Sequence, residues 1–133
     1  MVKTITIKDL DFPGNKGSKS EIKWICNSLG LIEGRDTEDI SFKIMNELLG
    51  NFSKNKIIAT ESIAEELSLE APRINHHIRS LIDSGILYRD KRKVRLRGGS
   101  LTRAIQEMKR DSDKLFDRLL EISGNIDKKM KLY

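Results

Sequence analysis

Residues Arg89 to Arg97 hold the charge imbalance of this chain. Arg89, Lys91, Arg92, Lys93, Arg95 and Arg97 stand against the single carboxylate of Asp90, a local net charge of +5. The whole chain has 25 Lys and Arg against 20 Asp and Glu, also +5, so the charges elsewhere cancel. Cations massed on one short stretch suit a polyanion, whose phosphates they hold by charge and N–H donation. A little upstream, Arg73, Asn75, His76, Arg79 and Ser80 share a helical period with Ile74, Ile78, Leu81 and Ile82. The four apolar residues define a core side. Arg73, His76 and Ser80 fall opposite it, and Asn75 and Arg79 lie on the flanks. Arginine can grip guanine with two hydrogen bonds, asparagine can grip adenine, and either can hold phosphate. The chemistry on offer is recognition rather than bond making. There is no Gly-rich phosphate loop after a strand, no Gly-x-Ser-x-Gly, no His-Glu-x-x-His and no usefully spaced Cys–His pair, so no enzyme is expected.

No metal or cofactor is expected either. His76 and His77 are adjacent and face apart on a helix. Asp111, Asp113 and Asp117 are interleaved with Arg110, Lys114 and Arg118, which reads as surface ion pairing. Cys26 is the only cysteine, so an intramolecular disulfide is impossible and a reducing compartment is expected. The thiol reads as a small buried hydrophobe, and Trp24 as a core or interface anchor. Aromatics make up 5% of the chain, which argues against a stacking platform for single strands. The first residues lack the apolar run of a signal peptide and nothing resembles a membrane span, so a cytoplasmic protein is expected.

The elements that would position these groups follow from periodicity and punctuation. Residues 1–35 form an extension. Val2 to Lys8 alternates as a short strand would, Asp11 to Ser18 is turn chemistry, and Ser20 is placed to cap a first helix carrying Ile22, Trp24, Ile25 and Leu29. Residues 36–99 form a second unit. Asp36 or Thr37 would cap a helix with Ile40, Ile44, Met45, Leu48 and Leu49 on one face, ending at Gly50-Asn51. Ile57 to Ala59 suits a brief strand, and Thr60 would cap a two-turn helix bearing Ile63, Ala64 and Leu67. After a corner at Ser68 to Glu70, Pro72 fits the first turn of the next helix and Gly85 its end. Strands at Ile86–Arg89 and Lys93–Arg97 would enclose a tip at Asp90 to Arg92. Residues 100–133 begin with Ser100 as a cap, after a Gly98-Gly99 hinge. Leu101, Ile105, Met108, Ser112, Leu115, Leu119, Ile122 and Ile126 then recur at alternating spacings of four and three, a heptad seam that Phe116 and Leu120 widen. Gly124-Asn125 is expected to interrupt this last helix. The fold class expected is mainly α with a small β-hairpin.

Ile63 to Leu69, followed by Asn75, His77-Ile78, Leu81 and Ser84-Gly85-Ile86-Leu87, resembles the winged helix-turn-helix of ArsR- and MarR-type transcriptional regulators. The resemblance covers roughly residues 38–97, with a trailing dimerisation helix. It implies a homodimer that reads double-stranded DNA, with Arg73, Asn75, His76, Arg79 and Ser80 on a recognition helix in the major groove. Arg89, Lys91, Arg92, Lys93 and Arg95 would form a wing on the backbone or minor groove. Leu101, Ile105, Met108, Leu115, Leu119 and Ile122 would form the dimer seam. The metal-sensing members carry paired cysteines on the recognition helix or an Asp/His cluster on the last helix. This chain has neither, which speaks against metal sensing. Winged helices also serve as protein-docking adaptors in transcription or RNA machinery, and RNA binding through the basic face is a third reading.

Overall fold

The computed structural model describes residues 4–14, 17–31 and 39–133. Among them are five α-helices and one three-stranded antiparallel sheet. In chain order these are α1 (Ser18–Ser28), α2 (Ile40–Phe52), β1 (Ile58–Ala59), α3 (Thr60–Leu67), α4 (Ala71–Ser84), β2 (Leu87–Asp90), β3 (Lys93–Leu96) and α5 (Leu101–Met130). A 3-10 turn at Arg97–Gly99 links the sheet to α5. The strand order is β1-β3-β2, with Ile58 opposite Val94 and Asp90 opposite Lys93. No helix among the described residues is long and apolar enough to cross a membrane.

The core forms where the apolar stripes of successive helices meet. α2 contributes Ile40, Ile44 and Leu48, and α4 contributes Ile74, Ile78 and Leu81, all at most 1% exposed. The spacings of three and four put each set on one helical face. Val94 and Leu96 of β3 alternate inward beneath them, as period-two patterning requires. Across the α2–α4 seam, the Ser41 hydroxyl lies 3.1 Å from Nδ1 of His77, so this histidine is used in packing. Gly85 ends α4 in the left-handed region at φ 98°, where a side chain would be strained. Pro72 lies in the first turn of α4.

Several local expectations are corrected. Residues 4–14 contain no strand. Instead the Lys8 N–H donates to the Ser28 carbonyl at 2.7 Å, which docks the segment on the end of α1 rather than on a sheet edge. α1 begins at Ser18, ahead of Ser20, with Gly17 at its N-cap position and no side-chain cap. Asp36 and Thr37 lie outside the described residues. α2 is preceded by Asp39 and continues through Gly50-Asn51 to Phe52. Thr60 does not cap α3. Pairing of β1 with β3 brings the Arg92 carbonyl to it, and the Thr60 N–H and hydroxyl both donate there, at 3.0 and 3.3 Å. Gly124-Asn125 leaves α5 unbroken through Met130. One glycine costs a helix about 1 kcal/mol, too little to stop one whose neighbours favour it. Ser100 does cap α5, its hydroxyl accepting from the Arg103 N–H at 3.1 Å.

Candidate functional site

The cationic stretch folds as β2, β3 and a tight turn at Lys91-Arg92, with Lys91 at φ 58°. Lys91, Arg92, Lys93 and Arg95 are exposed. Because β3 buries Val94 and Leu96, its intervening Lys93 and Arg95 must face outward. The Arg95 guanidinium lies over the ring of its cross-strand neighbour Tyr88, 4.8 Å from the centroid. That contact fixes the arginine against the sheet while leaving its edge to solvent.

Arg97 belongs elsewhere. Its side chain is 25% exposed and is gripped by Glu107 through Nε at 2.7 Å and by Asp111 through Nη1 at 2.6 Å, both on α5. The hydrogen bond it donates to Asp111 is the main reason its pKa rises above the ordinary arginine value, with Glu107 adding to the effect. Arg97 therefore ties the sheet to α5 and contributes little outward charge. Five cations remain on the hairpin, facing Asp90.

On α4, Arg73, His76 and Arg79 are exposed, while Asn75 and Ser80 are half-buried. Asn75 lies on the hairpin side, where Arg89 Nη2 donates to its Oδ1 at 3.2 Å. A guanidinium only donates, so the amide atom facing it must be oxygen, which leaves the Asn75 NH₂ group available. Thr60, Glu61, Ala71, Asn75, Arg89 and Arg92 border a cleft of about 280 Å³ where the starts of α3 and α4 meet the hairpin. Arg89 Nε is buried there without a hydrogen-bond partner. Arg92 makes a loose, exposed ion pair with Glu61 at 3.8 Å, a contact worth little in water.

The structure thus brings Asn75 together with Arg89, and the hairpin tip together with Thr60. Sequence reasoning identified the residue types but missed these couplings. A period-two pattern for β3 and a helical period for α4 do not say how one lies across the other. The six seam residues of α5 separate into two sets. Met108 is buried in the core of its own chain and Leu101 is half-buried against that core. Ile105, Leu115, Leu119 and Ile122 are exposed. Among the described residues, no group of three or more His, Cys, Asp or Glu side chains is placed to hold a metal ion.

No family model, curated protein or solved structure matches the chain.

Proposed function

We propose that this chain is a homodimeric, sequence-specific regulator that binds duplex DNA as a winged helix-turn-helix. α4 would enter the major groove as the recognition helix, and the β2–β3 hairpin would lie on the backbone or minor groove. The observation that carries the reading is the Arg89–Asn75 hydrogen bond. It joins the polar flank of α4 to the cationic hairpin, making one surface from the two parts a double helix would need to meet. Exposed Arg73, His76 and Arg79 supply further donors on α4. The apolar side chains exposed on the distal half of α5 support self-association, which would set two recognition helices about 34 Å apart on a pseudo-palindromic site.

Duplex binding across a salt series tests the proposal. An Arg92→Ala/Lys93→Ala double variant is expected to bind more weakly and to flatten the slope of log K against log salt by about 2. Equal affinity with an unchanged slope would refute the role of the hairpin. Arg73→Ala is expected to cost about 1–3 kcal/mol at particular base pairs; a uniform loss on every sequence would make it a phosphate contact. Absence of duplex binding at low salt, together with a stable complex with another protein, would favour the adaptor reading.

A further inference from the structure

On a part of the molecule to which neither α4 nor the hairpin contributes, an apolar cleft of about 450 Å³ opens between residues 5–8, α1 and the first half of α5. Ile25, Leu29, Ile105 and Met108 contribute to its walls, and Trp24 lines it as well. The indole N–H of Trp24 is already used, donating to the Asp11 carbonyl at 2.8 Å.

Two observations distinguish this cleft from a packing gap. Ser28, which lines it, is only 7% exposed, and its hydroxyl is buried without a hydrogen-bond partner. A hydroxyl left in that state opposes folding unless something satisfies it. The charge is also one-sided. Lys8 and Lys109 are exposed beside the cleft, and among the described residues no carboxylate lines it. Its volume lies in the range of small-molecule sites, and its composition is typical of them: apolar walls with a few polar groups.

We propose that the cleft binds a small hydrophobic carboxylic acid. Its apolar body packs on the isoleucines, Leu29 and Met108, and its carboxylate pairs with Lys8 and Lys109, with Ser28 in the wall. An inorganic anion would leave the walls wet, and a neutral hydrocarbon would leave both ammonium groups unused.

Trp24 is the only tryptophan in the chain, so its fluorescence reports on the cleft directly. The full-length protein, without DNA, is titrated with decanoate and with decanol, which has the same chain length and no charge. Decanoate is expected to shift the emission saturably and to bind about tenfold more tightly than decanol. A Lys8→Ala/Lys109→Ala variant should bind the two equally. Ile105→Glu, at a position already 38% exposed, should abolish decanoate binding while leaving the circular dichroism unchanged. Three results would overturn the proposal: no saturable change, equal affinity of the wild type for acid and alcohol, or emission that follows protein concentration and ignores decanoate. The last would mean that a second copy of the chain covers the cleft.

Discussion

Arg92 and Arg97 belong to one run of like charge, yet they do different work. The Arg92 side chain makes an exposed pair at 3.8 Å, while that of Arg97 sits between two carboxylates at 2.6 and 2.7 Å. Arg97→Ala is expected to lower stability by on the order of 1–2 kcal/mol, because charge-assisted hydrogen bonds are lost. On the duplex-binding reading it should leave the salt slope unchanged. A calorimetric scan and the same salt series check both halves. Cys26 gives a second prediction at this scale. Burial pushes its thiol up from 9.0 to about 12. A group whose folded pKa is raised loses its stabilising contribution as pH climbs past the unfolded value. Stability should therefore fall as the pH climbs from about 9 toward about 12, the interval between the thiol's ordinary and raised values. Cys26→Ala, less stable at neutral pH, should show the shallower decline. Parallel pH profiles for the two proteins would refute the assignment. Cys26 could be read from the sequence as a buried hydrophobe because a lone thiol has few alternatives. The clamp on Arg97 could not, since nothing local says that α5 turns back past the sheet.

At the scale of elements, period was a good guide and punctuation a weaker one. α3, the corner and α4 lie close to where the apolar spacing puts them. Thr60 and Gly124 do not behave as their types suggest, because tertiary pairing captured one and helix propagation overrode the other. The glycines make this testable. A Cβ at Gly124 would meet nothing within 4 Å, so Gly124→Ala should raise stability by about 1 kcal/mol. Gly98 lies at φ 75°, where a Cβ would come within 2.8 Å of Arg103 Cβ. Gly98→Ala should destabilise by more than the first change gains. Thermal unfolding of the two variants in one buffer should move in opposite directions, and movement in the same direction would contradict the local geometry.

For the whole molecule, the distal half of α5 is the unresolved account of apolar surface. Leu119 is 60% exposed and Leu120 68%, with Phe116, Ile122 and Ile126 beside them on one broad face. Monomers rarely leave so continuous a patch open. The seam itself was legible as a heptad. Its division was not, because the sequence does not show that Leu101 and Met108 pack on the chain's own core. Sedimentation is expected to give a dimer for the wild type and a monomer for Leu119→Glu/Ile122→Glu, with helix content retained in the folded domain. A variant that remains dimeric would move the interface off this face.

The hairpin tip is bolted to the start of α3 through Arg92 and Thr60, and its first strand to α4 through Arg89 and Asn75. On the duplex-binding reading, a polyanion arriving there would find the parts already locked, with no slow rearrangement after collision. Capture would then run as fast as long-range attraction permits, on the order of 10⁸ M⁻¹s⁻¹ in dilute electrolyte. Discrimination would be left to dwell time, wrong partners leaving sooner.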